Sequence, residues 1–231
     1  MAAVFDPVQT ATTLEETVER LGTAIRLGLL GPGDRLPPER DLADQFGIAR
    51  STLRQALTSL TESGHLIAQR GRGGGTFVSD APPLAESSRA DLEGGPWREV
   101  LDQRIAVEVG TVVLAAERAT PADVARLQGH VETMRTVVED FPTYRRADVF
   151  FHLGLAEAAE SQRLVAAMTE VQGGMSELIA HIAHPPAVLE RANRQHERLI
   201  KLLRQGDGAR AVRLVREHLQ GTEHILGGLL P

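Results

Sequence analysis

The sequence predicts a mostly α-helical protein in two parts. The first is an N-terminal winged helix-turn-helix, α-helical with a small β wing; the second is a C-terminal all-α antiparallel bundle of about six helices. Three observations carry this expectation. Residues 36–78, LPPERDLADQFGIARSTLRQALTSLTESGHLIAQRGRGGGTFV, hold two short helical patterns, a glycine-bearing turn between them, and a glycine-tipped hairpin carrying arginines. Residues 79–96, SDAPPLAESSRADLEGGP, are rich in Pro, Ser, Gly and acids and lack sustained apolar periodicity. After them the chain runs to residue 231 in helix-period patterns with no period-two alternation. The expected organisation is a winged domain over 1–80, a linker over 81–96 and a helical domain over 97–231.

Taken in order, Thr13 and Glu16 form a capping-box pattern, and Leu14, Val18, Leu21, Ile25 and Leu29 follow at helical spacing. This predicts a first helix over about 13–29, ended by the turn Gly31-Pro32-Gly33-Asp34. Pro37-Pro38 suits the first turn of a second helix with Leu42, Ala43 and Phe46 as its apolar positions. Gly47 then supplies the positive φ of a C-terminal cap. A third helix opens at Ala49 and turns Leu53, Ala56, Leu57 and Leu60 inward, which leaves Arg50, Ser51 and Arg54 on the opposite face. Ser63-Gly64 stops it, and 65–69 and 76–78 are short enough to be two strands joined by Arg70-Gly71-Arg72-Gly73-Gly74-Gly75. Beyond the linker, helices are expected over about 97–118, 121–140, 142–160, 161–183, 185–205 and 208–226, with the fourth disturbed at Gly173-Gly174. The short turns between them imply antiparallel neighbours.

Composition bounds the function. An apolar share of 42% supports a core, yet no window approaches the run of about 20 apolar residues that spans a bilayer. The start, MAAVFDPVQTATTLEE, lacks the basic and apolar regions of a secretory signal, so a cytoplasmic protein without a membrane partner is expected. With no cysteine, disulfides, thiolate nucleophiles and Cys-ligated metals are excluded, and any metal must use His and carboxylate. A net charge of −6 has the wrong sign for a chain whose whole surface coats nucleic acid. The distribution answers this, because between Arg35 and Val78 six arginines face four acids, a local excess of two positive charges. Nearly all the basic side chains are arginine; Lys201 is the only lysine.

A lone arginine on a helix surface is usually only solvated, and a glycine-rich loop with two arginines is compatible with an ordinary hairpin. This loop also lacks the Lys-Ser/Thr ending of a nucleotide P-loop. The order of elements, with a basic wing after a helix whose N-terminal face carries Arg50, Ser51 and Arg54, is what points to DNA. In the bundle, Asp148 and His152 stand four apart on one helix, with His196 and His218 on two others. One carboxylate and three imidazoles from three helices can converge on a divalent transition ion. An i,i+4 Asp/His pair is equally common on solvated helices, so spacing alone leaves both readings open.

The winged segment resembles the N-terminal domain of the GntR family of bacterial transcription regulators over residues 13–78. The resemblance lies in Leu36-Pro37-Pro38-Glu39-Arg40-Asp41-Leu42-Ala43, in Ser51-Thr52-Leu53-Arg54-Gln55-Ala56-Leu57 and in the wing from Gly71 to Val78. It implies that Arg40, Arg50, Ser51, Thr52, Arg54, Arg70 and Gly71 meet the operator. The Asp-Val-Phe-Phe-His element, the histidine of Arg-Gln-His-Glu-Arg-Leu-Ile and that of Val-Arg-Glu-His-Leu are similar to the FCD ligand-sensing domain of the FadR-type subgroup. That likeness implies a metal held by Asp148, His152, His196 and His218, with zinc foremost and nickel, manganese and iron open. Arg104, in an Arg-x-x-x-Glu element with Glu108, becomes the candidate for gripping a small carboxylate effector; a plain i,i+4 salt bridge is the competing reading. His130, His181, His184 and His224 fall outside the pattern and are assigned to surface or packing. The expectation is therefore a homodimeric, non-enzymatic bacterial regulator, a repressor released from a palindromic operator when its effector binds. Two alternatives stand beside it: a metal-dependent enzyme acting on a small acid, with Glu157 or Glu197 as base, and a helical scaffold without ligand.

Overall fold

Helix α1 (Thr13–Arg26) ends earlier than its apolar pattern suggests. Gly28 takes φ 67°, and the Leu30 N–H donates to the Ala24 carbonyl at 3.0 Å, so a left-handed cap closes the helix before Leu29 can join it. The computed structural model describes residues 13–71, 73–82, 96–179 and 186–229, without the side chains of Glu15, Glu19, Arg26, Pro96 and 222–229. Arg72, His181, His184, the side chain of His224 and all of the expected linker except its first two residues and Pro96 lie outside the described residues. The chain divides into two compact units, whose described parts are 13–82 and 96–229.

In the first unit, α2 (Glu39–Phe46) follows Pro38 and stops at Gly47, whose φ of 65° lets its N–H reach back to the Ala43 and Asp44 carbonyls. Helix α3 (Arg50–Glu62) is the centre of this unit. Its face of Leu53, Ala56, Leu57 and Leu60 is buried, and α1, α2 and the first strand all pack on it. Strands β1 (Leu66–Gln69) and β2 (Gly75–Val78) pair antiparallel, with Leu66 opposite Val78 and Gln69 opposite Gly75. Arg35 adds a bridge to Phe77. Leu66 and Val78 close the core from the sheet side beside Leu21, Ile25, Leu36 and Leu42.

The tip of the wing requires its glycines. Gly71 and Gly73 have φ of 103° and 96°, and a Cβ on Gly74 would meet the Gln69 carbonyl oxygen at 2.4 Å. That neighbour is backbone of the paired strand and cannot swing aside. Gly74→Ala should therefore cost about 1–3 kcal/mol locally and accelerate amide exchange across β1 and β2 without changing the helical unit. Unaltered exchange in both strands would contradict the close approach.

The second unit contains α4 (Pro96–Arg118), α5 (Pro121–Thr136), α6 (Phe141–Ala158), α7 (Gln162–Ile179), α8 (Pro186–Arg204) and α9 (Gly208–Leu229). Thr120 and Asp123 form a capping box that starts α5, with Pro121 in its first turn. Helix α5 was expected to run to 140 but ends at Thr136, because Asp140 is recruited to cap α6, accepting from the Thr143 N–H at 3.3 Å. Gly206 at φ 66° and Asp207, which accepts from the Arg210 N–H at 3.0 Å, turn α8 into α9. The expected disturbance at Gly173-Gly174 is absent, as α7 is continuous there. A Cβ on Gly174 would come 3.1 Å from Val100 Cγ1, so this glycine serves the close approach of α4 to α7. Helix α6 has ten of its eighteen residues buried, including the unbroken run from Phe151 to Ala156, and packs against α4, α5 and α7, with Pro142, Thr143, Arg146 and Glu157 left exposed on its outer side. No helix among the described residues is long and apolar enough to cross a membrane.

Candidate metal centre and nucleic-acid interface

On the inner face of α6, Asp148 and His152 stand one turn apart and are turned away from solvent, whereas Arg146 and Glu157 lie on its exposed side. Helix α8 brings His196 to them and α9 brings His218, all three imidazoles being 9% exposed or less. His196 Nε2 lies 3.3 Å from His218 Nε2 and 3.7 Å from Asp148 Oδ1, and His152 Nε2 is also 3.7 Å from Asp148 Oδ1. One nitrogen from each of the three histidines falls within a 4.8 Å sphere of mutual distance. Ligand atoms about 2.1 Å from a metal stand roughly 3.0 Å apart when adjacent in an octahedron and roughly 3.4 Å apart in a tetrahedron. The separations of 3.3–3.7 Å come within a few tenths of an ångström of that range, so a small inward shift of the side chains would complete a coordination shell. His152 Nε2, buried and facing Asp148, has no hydrogen-bond partner, an arrangement that costs about 1–3 kcal/mol unless a ligand satisfies it. These residues fit a divalent cation. The adjoining cavity is about 10 Å³ and is bounded by His152, His196, His218, Leu199, Leu214 and Val215, room for about one water-sized particle.

The electrostatics suit the same purpose. Burial drives His196 down to about 4 and His218 well below the usual imidazole range, so both are neutral with lone pairs free to coordinate. For His152 burial also acts downward, but the Glu108 and Asp148 carboxylates prevail and raise it to about 9. Burial pushes Asp148 upward, yet contact with His152 and the charge of Arg145 hold it well below the carboxylate range. A cation entering here would displace the His152 proton.

A second layer of side chains orients these groups. Glu108, fully buried on α4, places Oε2 2.8 Å from His152 Nδ1, an ion-pair contact whose angle falls outside hydrogen-bond geometry. Arg104 Nε and Gln172 Nε2 donate to Glu108 Oε1 at 2.8 and 3.1 Å. Arg145 donates to Gln172 Oε1 at 2.9 Å and, through Nη1, to Asp148 Oδ2 at 2.6 Å. The circuit Asp148, Arg145, Gln172, Glu108, His152 thus ties helices α4 and α7 to the cluster. His218 Nδ1 is held by Gln195 Oε1 at 3.1 Å. Arg104 is 4% exposed and forms the i,i+4 salt bridge with Glu108. Sequence reasoning missed Arg145, Gln172 and Gln195. The i,i+3 spacing of Arg145 and Asp148 was a usable signal, whereas the two glutamines carried none. His130 stacks on Phe150 with centroids 5.7 Å apart, and Glu157, 54% exposed, pairs with Arg126.

In the first unit, α3 begins at Ala49 with no side-chain cap and no acid in its first turn. Its leading N–H groups and the helix dipole consequently face an anion-accepting space flanked by Arg50 and Ser51, both exposed, and by the half-buried Thr52. Arg54 is exposed and pairs across to Glu39 of α2 at 2.8 Å, while Arg40 pairs with Asp41 at 3.1 Å. Such solvated pairs are weak and salt-screened, so both arginines can be recruited by a phosphate. Arg70 and Gly71 are exposed on the wing. Arg35 serves the wing itself: its Nη2 donates to the Gly74 carbonyl at 2.6 Å and its guanidinium lies over Phe77.

Residues 13–78 match the gntR family of bacterial regulatory proteins, and residues 99–221 match the FCD domain. The chain is 38% identical over 214 residues to the putative HTH-type transcriptional regulator RmpR of Mycobacterium gastri, covering 88% of this chain and 76% of that one. It is 32% identical over 220 residues to the putative L-lactate dehydrogenase operon regulatory protein of Escherichia coli (strain K12), covering 89% and 83%. Among solved structures, E. coli McbR/YncC superposes with a TM-score of 0.59 at 21% identity, over 95% of this chain and 99% of that chain, which shows a shared fold.

Proposed function

The chain belongs to the gntR family of bacterial regulatory proteins, with an FCD domain after the winged one, and from that premise we propose a homodimeric, metal-containing repressor released from its operator by a small carboxylate. It is a DNA-binding transcription regulator, and its relatives are regulators rather than enzymes. The observation that carries the finer reading is the convergence of Asp148, His152, His196 and His218 from three helices within one buried cluster.

In this reading residues 1–80 bind DNA, 81–96 connect, and 97–231 sense. Arg50, Ser51, Thr52 and Arg54 enter the major groove from the N-terminal part of α3, Arg40 grips phosphate beside it, and Arg70 and Gly71 bring the wing to the adjoining groove. Two copies occupy half-sites of a short palindrome, the symmetry of the protein matching that of the operator. Asp148, His152, His196 and His218 hold the cation, zinc first and nickel, manganese or iron next. A bound divalent cation supplies fixed positive charge with coordination positions left for an oxygen ligand. Arg104 supplies a second positive charge to the effector carboxylate. A cavity of about 10 Å³ cannot hold such an acid beside the cluster, so its admission must part α8 and α9 from α6. That obligatory movement is how occupancy is coupled to the DNA-bound form, provided the acid favours the parted state.

The similarity to a putative L-lactate dehydrogenase operon regulatory protein makes L-lactate the first acid to test. Fluorescence anisotropy on a palindrome from the protein's own promoter should show operator affinity falling at least about tenfold, or about 1.4 kcal/mol, when a small hydroxy acid is added to metal-loaded protein. No change with any of a panel of hydroxy acids would remove the effector assignment.

A further inference from the structure

Helices α8 and α9 enclose a groove of about 350 Å³ that is separate from the histidine cavity but shares one wall with it, Leu214. Its sides are Arg198 and Lys201 from α8 and Arg210 and Arg213 from α9, over a floor of Leu202 and Leu214. Helical spacing gathers them there: 198, 201 and 202 form one stripe, and 210, 213 and 214 form the facing one. Glu217 is the single acid in the lining. Arg210 is occupied by an ion pair with Asp207. Arg198 and Lys201 make no hydrogen bond or ion pair with the described residues, and Arg213 makes none either but lies near enough to act on the Asp207 carboxylate through its charge.

Four cations around one concavity, in a chain of net charge −6, repel one another and need a counter-charge. An arginine on a flat surface finds it in water and salt. Here the side chains converge on a space at the lower end of the roughly 300–1,000 Å³ typical of small-ligand sites. The chemistry selects the ligand. Two guanidinium forks and one ammonium, none of them hydrogen-bonded to a carboxylate, match the oxygens of phosphate, and the leucine floor accepts an apolar body. We propose that the α8–α9 groove is a binding site for a small phosphorylated metabolite, its phosphate held by Arg198, Lys201 and Arg213 and its organic part lying on Leu202 and Leu214. The polar lining of the groove uses none of the histidines of the cluster.

Lys201 is the only lysine in the chain, so its ε-amine reports directly on occupancy. Full-length protein is treated with a limiting amine-acylating reagent, and the Lys201 peptide is quantified by mass spectrometry with the α-amino group as internal reference. Inorganic pyrophosphate is the probe. At twice its dissociation constant it leaves about one third of sites free and slows Lys201 modification about threefold, with sodium sulfate at matched ionic strength giving no comparable protection. The protection should vanish in the Arg198→Ala, Arg213→Ala double variant, whose two side chains are exposed and whose circular dichroism should match the parent. Four results would each overturn the site: equal rates with and without pyrophosphate, protection reproduced by sulfate, protection retained by the double variant, or protection conferred by duplex DNA and not by pyrophosphate.

Discussion

Replacing Arg50 and Arg54 together by alanine should lower specific operator affinity by about 30-fold to 10⁴-fold, since each well-placed arginine contact is worth about 1–3 kcal/mol. Both side chains are exposed on α3, while the buried face of Leu53, Ala56, Leu57 and Leu60 that fixes the helix is untouched. The variant should therefore keep its helical content, its thermal midpoint and its metal content. Removing Arg54 also frees Glu39, its partner at 2.8 Å, to repel the phosphates. For that reason Glu39→Gln combined with Arg54→Ala should recover part of the loss. Anisotropy titrations at several salt concentrations give the second readout, because each lost phosphate contact reduces the slope of log affinity against log salt by about one. Full affinity in the Arg50, Arg54 double variant would sink the assignment of α3 as the reading helix.

The largest effect in the second unit is expected at the cluster. Purified wild-type protein should carry a divalent transition metal, and Asp148→Ala or His196→Ala should weaken its retention by more than about 100-fold, beyond the 10–100-fold typical of losing an outer partner. Elemental analysis after dialysis is the direct test. A chelator should lower the unfolding temperature of the wild type and leave that of the variants unchanged, since only a ligand of the native state stabilises it. His196→Ala also opens a void beside Phe151, whose ring centroid lies 4.4 Å from that of His196, so lower stability alone does not identify a ligand. Asp148→Asn separates the effects: it keeps the shape and the bond from Arg145 but lacks the anionic oxygen. Wild-type protein refractory to zinc, nickel, manganese and iron alike would end the metal reading, whatever the variants did.

The legible and illegible parts of this molecule divide along physical lines. Asp148 and His152 could be placed on one helical face from their spacing alone. Their convergence with His196 and His218 depends on how three helices pack, and the expectation for it rested on resemblance. Helix α6 is hard to read in the sequence because its run from Phe151 to Ala156 is buried all round, which leaves only a thin polar side at Pro142, Thr143, Arg146 and Glu157. Gln172 looks like any solvated glutamine, yet it is fully buried because Glu108 and Arg145 engage both ends of its amide. Glycine proved ambiguous in both directions. Gly28, inside an apolar run, ends α1, whereas Gly173-Gly174, read as a weak point, lies in an unbroken helix with Gly174 where Val100 approaches. Arg35 contributed to the basic excess that pointed to DNA, and the structure commits it to the wing backbone.

The ring of contacts through Glu108, His152, Asp148, Arg145 and Gln172, closed by His196 and His218, also sets a timetable. The hydrophobic core and the strand pairing that steady α3 are built from residues 18–78, whereas the cluster draws on residues from 104 to 218. A ribosome adding about 5–20 residues per second needs roughly 7–28 s to travel the 140 or so positions from Val78 to His218. During that interval a nascent chain has all the residues of its winged unit and not yet all those of the histidine cluster. If the chain is the effector-released repressor proposed above, chains cut short before α9 lack His218 of the cluster and should show unrelieved repression in cells.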